Sequence, residues 1–460
     1  MLILYKNTRH LTIILAIALL SSCGGDENDF LDFTPVPIDN DVVQIDSAFL
    51  NKRRVYAMTT ESFITSRHFI VWWGRRLGNL QGEVIITLNE LERTWDLAID
   101  SYGMNPPPDA SSFYTNIYFA STGDGIPEDL GTNVYFDFRN VPYITLDPQV
   151  FFINSGGANT GGVTISKKAF QVYISQRTSF TDPASDSWLT QAASGWFVQD
   201  LYPTNSKGLD PVAAYGLNPH LPLWSTSETL QAQQPEQTLT WSQRNHEAGA
   251  QILFTYLVEN GIFTSNEIAD FFKVDSDLAI TEYLAQTMVN KGLNYQDVFS
   301  DFCSHNVTWD YSDHSEIYLN NQDFWASEGE LNNNMDNSIV EVIGGNGTSG
   351  IMNSNPNLAP GGWAYNTYLL EPEDGASYNI TFNGETQGTL LSDSDFRVIM
   401  VRNNDGQRVY EKMNMTNPQS GQHILNDTNV DEDIYLVIAS IPNITSGYEQ
   451  FNYSFSVTRL

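Results

Sequence analysis

The sequence predicts an α+β protein, with an N-terminal sheet feeding a mainly helical part and a C-terminal antiparallel β-sandwich. Three observations carry this. Strand-like runs HFIVWWG, NIYFA and NVYFDF cluster before residue 140. Apolar residues then recur at helical spacing through windows such as residues 245–261. Beyond about residue 330 short alternating runs (SIVEVIG, YNTYLLEP, YNITFNG, FRVIMVRN, IYLVIASIP and FNYSFSVTRL) are separated by Asn, Gly, Asp and Pro, the spacing of sandwich strands.

The first residues are an address. A basic head (Lys6, Arg9) precedes the apolar run LTIILAIALL and then SSC. That run is too short for a spanning helix and fits a secretory signal over residues 1–22. The segment LLSSC resembles a bacterial lipobox, which implies that Cys23 is acylated and anchors the chain to a membrane. The acidic GGDEND after it resembles the tether of surface-exported lipoproteins of the Bacteroidetes, and residues 23–50 read as that tether. The expected location is therefore the outer membrane or cell surface of a Gram-negative bacterium, with a periplasm-facing orientation left open.

Composition narrows the partners. The chain has 55 acidic against 22 basic residues, a net charge of −33, and no basic patch, which argues against nucleic acid. With Cys23 acylated, Cys303 has no intrachain partner, so no disulfide framework and no Cys-rich metal site is available. The chain is long enough for two or three hydrophobic cores. NNNMDN breaks every pattern between Glu328 and Asn337, which sets one part at residues 51–330 and a second at 331–460.

Taken in order, HFIVWWG (His68–Gly74) reads as a buried strand and Val84–Gly103 as an amphipathic helix, with Leu88, Leu91, Trp95 and Ile99 three and four apart. The glycine-rich NSGGANTGG reads as a loop before the helix VTISKKAFQVYIS. It lacks the Lys-Ser/Thr of a phosphate loop. SWLTQAASGWFVQDLYP follows, then a loop with NPHLPLW, then NHEAGAQILFTYLVENG.

That last helix opens like a zinc peptidase motif, H-E-x-x-H, with His246 and Glu247 present but Ala250 at the second histidine. Alanine has no donor atom, so one imidazole is offered where zinc needs two. His246 reads as structural, and Glu247 suits the first helical turn. GNGTSG (Gly345–Gly350) matches a dinucleotide fingerprint formally, but the helix that must follow it is replaced by IMNSNPNLAPGG. No G-x-S-x-G elbow is present. Asp427, Asn429, Asp431 and Asp433 alternate as calcium ligands do, without the central glycine and terminal glutamate of such a loop. An acidic turn is the plainer reading, with calcium as the alternative cofactor.

At SRHFIVWWG, SWLTQAASGWF, HEAGAQILFTYLVENG and NVTWDY, the chain resembles a secreted bacterial family of unknown function related to gluzincin-like metallopeptidases. The resemblance implies a peptidase-like domain with a metal helix upstream of residue 245, followed by the β-sandwich. AFQVYISQ fits the H-E-x-x-H-x-x-Q frame through Gln176. Ala169 and Tyr173 then stand at the histidine positions, Phe170 at the glutamate and Gln191 at the third ligand. A catalytic zinc needs three donors, an activated water and a base, so this set implies a vestigial site with no zinc expected.

The expectation is a lipid-anchored envelope protein with an inactive peptidase-like scaffold that binds a glycan, a peptide or another surface protein. Trp188, Trp196 and Trp224 are the candidate contacts, each weighed against a place in the core. The alternative is an active hydrolase, a peptidase or glycosidase, using a non-zincin site in the same cleft. His246, Glu247 and His220 are its first candidates.

Overall fold

The computed structural model describes residues 62–327 and 339–460, except 75, 77, 109, 123–130, 137–140, 149–159, 176–182, 204–205, 274–277, 279, 385–393 and 444–446. The signal, Cys23 and the tether lie outside the described residues.

Strands β1 (Phe63–Thr65) and β2 (Phe69–Trp72) form a hairpin. Its turn is clamped by buried Glu92, which accepts from Ser66 Oγ at 2.5 Å, His68 N at 2.8 Å and His68 Nδ1 at 2.7 Å. Helix α1 (Gln81–Trp95) buries Val84, Leu88, Leu91 and Trp95 and runs into a π-helical turn, Asp96–Ser101. The helix expected over 84–103 therefore starts earlier and changes pitch at its end. It crosses over to β3 (Thr115–Phe119), which lies parallel to β2, and β4 (Asn133–Phe136) and β5 (Pro142–Leu146) complete a sheet of order β1-β2-β3-β5-β4. One face of this sheet, with Phe69, Val71, Ile117, Phe119, Ile144 and Leu146, joins the main core. The other carries Ile70, Trp72 and Tyr118, with the Trp72 indole donating to Asn116 at 2.9 Å.

The helical part then unfolds along the chain. Helix α2 (Thr160–Ile174) takes in the last residues of the glycine-rich run, and α3 (Pro183–Leu201) is buried on every side over residues 192–198, as a helix at the centre of a core must be. Next come α4 (Ser206–Leu217), α5 (Ser227–Gln233), α6 (Trp241–Gly249) and α7 (Gln251–Glu259). The single helix expected over 245–261 is two, divided at Ala250, whose ψ is −6°. Helices α8 (Ser265–Asp270), α9 (Ile280–Asn290), α10 (Tyr295–Asn306) and α11 (Ser315–Trp325) complete this part. Among the described residues no helix is long and apolar enough to cross a membrane.

Helices α4 and α6 touch backbone to backbone at Gly249, where an added Cβ would lie 2.2 Å from the Pro211 carbonyl oxygen and 2.8 Å from the Tyr215 nitrogen. Backbone atoms cannot step aside as a flexible side chain can. Gly249→Ala is expected to cost roughly 3 kcal/mol, read as a lower urea midpoint. An unchanged midpoint would mean that the two helices slide freely.

After β6 (Ile339–Ile343) the chain crosses to β7 (Met352–Asn353) and back to β8 (Ala364–Leu370). It continues through β9 (Tyr378–Gly384), β10 (Phe396–Asn404), β11 (Gln407–Lys412), β12 (Asn414–Asn417), β13 (Ser420–Leu425), β14 (Asp433–Ser440) and β15 (Tyr453–Arg459). Two five-stranded sheets result, β11-β10-β14-β8-β6 and β12-β13-β9-β15-β7. The expectation of antiparallel strands needs one correction: β6 runs parallel to β8, because the excursion through β7 is long enough for a crossover. Tyr368, Val398, Met400, Leu436 and Ile438 of the first sheet share a core with Tyr378, Phe382, Tyr453 and Phe455 of the second.

The first of these sheets is buried on both faces. Trp363, Tyr365, Ile399, Val401, Val437, Ala439 and Ile441 belong to the main core with the helices. Helix α10 lies against β10 and β11, and its acidic stripe meets their bases. Asp297 pairs with Arg397 and Asp301 with Lys412, each at 2.8 Å, while His305 stacks on Tyr410 at 4.7 Å. Just beyond, Asp310 takes Arg408 at 2.8 Å and the Tyr410 hydroxyl at 2.5 Å.

Candidate functional site

Helix α3 packs against α2, α6 and α7, and polar side chains stand among the apolar ones there. On α2 the polar residues Lys167 and Gln171 are one turn apart and share a flank. Gln171 is buried and its Nε2 donates to Gln191 Oε1 on α3 at 2.9 Å, with Ser194 Oγ at 3.5 Å. Gly195 follows on α3, and a Cβ there would stand 2.0 Å from Gln251 Oε1. The glycine therefore admits the Gln251 amide of α7 against α3. One turn before Gln251 lies Glu247, on α6, and its charge acts on Lys167. The polar groups on these helices are Lys167, Gln171, Gln191, Gln251 and Glu247, of which Gln171 and Gln191 are joined directly.

Lys167 and Glu247 are half-buried, and among the described residues neither makes a hydrogen bond or ion pair. Burial pushes the Glu247 carboxyl up to about 7, against the lowering charge of Lys167 and with help from Glu228. Burial draws the Lys167 ammonium down to about 8; Lys168 pushes the same way and Glu247 opposes. Lys168, also half-buried, is lowered by burial too. Two groups that ordinarily titrate far from neutrality are thus poised beside it, the pattern of acid–base and ligand sites.

The positions assigned to a vestigial metal site do not gather at one point. On a helix, Ala169 and Tyr173 lie on the flank opposite Gln171, and Gln191 goes to Gln171. Ala169 is buried in the core. Phe170 stacks on Phe197 at 5.2 Å, and Tyr173 meets Trp95 edge-on at 6.1 Å with its buried hydroxyl unbonded. The residue of α2 that reaches Gln191 is Gln171, and Lys167 precedes it by one turn.

Of the alternative candidates, Glu247 is half-buried and feels the charge of Lys167, while the two histidines are enclosed in the core. His246 is fully buried against Tyr215 at a ring distance of 5.1 Å, with backbone groups of Ser225 and Asn218 beside its ring. Burial draws its imidazole down to about 3, and that of buried His220, whose charge reaches it, to about 4. Trp188, Trp196 and Trp224 are all buried, and the Trp224 indole donates to the Gly447 carbonyl at 2.7 Å. Their ring faces are spent on packing, so they offer no stacking surface.

The acidic turn is closed by its own groups. Asn429 Oδ1 accepts from the Asp431 nitrogen at 3.0 Å, and Glu432 accepts from the Asn429 nitrogen and pairs with Arg402, each at 2.8 Å. Among the described residues no group of three or more His, Cys, Asp or Glu is arranged to hold a metal ion. Cys303 is buried, and burial pushes its thiol far up.

Sequence reasoning passed over Lys167, Lys168, Gln171, Ser194 and Gln251. The available signal was a pair of adjacent lysines in an apolar helix, in a chain with few bases. No curated protein matches the chain. One family model does, over residues 168–455, a span that begins inside α2 and ends in β15. That is more than half the sequence, and the chain belongs to the family of unknown function DUF6055.

Proposed function

We propose that this is a lipid-anchored envelope protein whose peptidase-like helices carry a binding site in place of a metal centre, with the two C-terminal sheets as a β-sandwich. The observation that carries the proposal is the 2.9 Å hydrogen bond between Gln171 and Gln191. Moving the H-E-x-x-H frame two residues upstream sets Lys167 and Gln171 at the histidine positions, Lys168 at the glutamate and Gln191 at the third ligand. These residues do not fit zinc. An ammonium has no lone pair, and the two amides are engaged with each other, so three donors are not available. No step through a metal is derived.

What the seam retains is charge and hydrogen-bonding capacity on rigid helices, the properties a binding site needs. A second reading is favoured by one observation, the Glu247 carboxyl near neutrality, which suits a general acid or base in a hydrolase. Incubation with a peptide library and a panel of oligosaccharides separates the two. The binding reading expects retention of a member of either set without product. Turnover that Glu247→Gln abolishes would replace it with the hydrolase.

A further inference from the structure

We infer that the cavity between helix α10 and the strand change at Met413 binds one neutral pyranose residue, free or at the end of a glycan, whose hydroxyls bridge Arg397 and Asp297. This site is separate from the contact of α2 with α3, and it stands or falls apart from the reading given above.

The cavity measures about 340 Å3, within the range of small-ligand pockets. The change of sheet creates it. Strand β11 ends at Lys412, opposite Ile399 of β10, and the chain passes into the second sheet as β12. It is pinned to β10 on both sides of this excursion, since Met413 N donates to the Val398 carbonyl and Phe396 N to the Pro418 carbonyl, each at 2.9 Å. Between these bonds residues 413–418 bow away from residues 396–398, and Asp297 and Ser300 of α10 border the space. Val398, Ile399, Met413 and Met415 supply an apolar wall. The two thioethers rest on Gly421 of β13, where a Cβ would stand 2.6 Å from Met415 Sδ and 2.9 Å from Met413 Sδ. Methionine reshapes readily around a guest.

The polar groups of the cavity are fixed but keep bonding capacity. Arg397 donates from Nε to Asp297 Oδ1 at 2.8 Å, and from Nη1 to the Phe396 carbonyl at 3.0 Å and to Asp395. Among the described residues its Nη2 has no partner, and neither has Asp297 Oδ2, so one ion pair keeps a donor and an acceptor side by side. Lys412 directs one donor at Asp301 at 2.8 Å and keeps the others. Asn417 Oδ1 accepts from Gln419 N at 2.9 Å, which leaves its amide protons. Ser300 Oγ donates to the Asp297 carbonyl at 3.0 Å and keeps its lone pairs.

These groups select a neutral ligand. Both cations are already matched by carboxylates, so an added anion would meet Asp297, and an added cation would meet Arg397 and Lys412. The net charge of −33 repels an anion at long range as well. A hydroxyl accepts from Arg397 Nη2 while donating to Asp297 Oδ2, and its neighbour on the ring takes Lys412 or Asn417, each bond strengthening the next. The C–H face of the ring then lies on the apolar wall. A trans amide fits less well, because its N–H and C=O point in opposite directions.

Titration calorimetry of the full chain with D-glucose, D-galactose, D-mannose and N-acetyl-D-glucosamine tests the site, with cellobiose and chitobiose beside them. The expected result is saturable binding of at least one at millimolar concentration. A disaccharide that binds more tightly than its monosaccharide identifies a glycan end as the source, and equal affinity identifies the free sugar; both support the class. Arg397→Lys, which keeps the cation but removes Nη2, and Asn417→Ala should each weaken binding by roughly threefold to tenfold. Asn417 is exposed, so its variant carries the test even if Arg397→Lys does not fold. No binding by any of the six sugars overturns the inference. Tighter binding of glucuronate or glucosamine than of the neutral sugars does the same, as does binding of N-acetylglycine N-methylamide without any sugar. Affinity unchanged in both folded variants, or lost in Gln171→Ala, would place the sugar elsewhere and overturn it too.

Discussion

A chain ending at residue 327 is expected not to fold. The first C-terminal sheet supplies Trp363, Tyr365, Ile399, Val401, Val437, Ala439 and Ile441 to the core of the helices, and its loss exposes their partners to water. Burying a large apolar side chain contributes about 1.5–3 kcal/mol. Six of these seven are large, so their removal costs on the order of 10 kcal/mol, comparable with the whole stability of a domain. The Trp363 ring packs on Tyr295 of α10 at 5.5 Å and on Phe299 at 5.3 Å. Circular dichroism and size-exclusion chromatography of residues 62–327 should show little cooperative melting and a collapsed or aggregated species. A monomer with a sharp thermal transition would show that the helices form an independent core.

Mild acid should destabilise the protein strongly through two histidines. The imidazoles of His220 and His246 are held at about 4 and about 3, below the ordinary 6.5, by burial first. The unfolded chain therefore binds their protons more readily than the folded one, so stability is full above pH 6.5 and is lost as pH falls toward these lowered values. At 1.36 kcal/mol per unit the loss reaches roughly 3 kcal/mol for His220 and roughly 5 kcal/mol for His246. Glu247 works in the opposite sense. Its raised carboxyl takes up a proton in the folded state as pH falls, but solvent reaches it and its contribution is the smaller. The urea midpoint should fall steeply between pH 6.5 and 4.5, and His246→Phe should flatten that slope. A midpoint that does not move over this interval would contradict the burial of neutral imidazoles.

The strands of the outer C-terminal sheet were legible because its one-sided burial writes itself as strict alternation. In YNITFNG, Tyr378, Ile380 and Phe382 point inward while Asn379, Thr381 and Asn383 face out. The inner sheet was legible as strands but not as a shared wall. FRVIMV and IYLVIAS are apolar on both faces, the mark of a sheet covered twice, and nothing local says by what. The parallel course of β6 depends on a crossover that no short pattern encodes. Trp188 and Trp196 illustrate a different limit, since a tryptophan at helical spacing reads the same in a core as in a cleft. A frame set through Gln176 puts Ala169 and Tyr173 at its histidine positions, both buried, whereas the side chain of α2 that bonds to Gln191 on α3 is Gln171.

The central claim is that the seam between α2 and α3 is a charged binding site and not a metal centre. Metal analysis of the purified chain, followed by zinc titration, tests it most directly. The account predicts no stoichiometric zinc and no saturable zinc binding that depends on Gln171 or Gln191. One equivalent of tightly held zinc, lost in Gln171→Ala or Gln191→Ala, would contradict it.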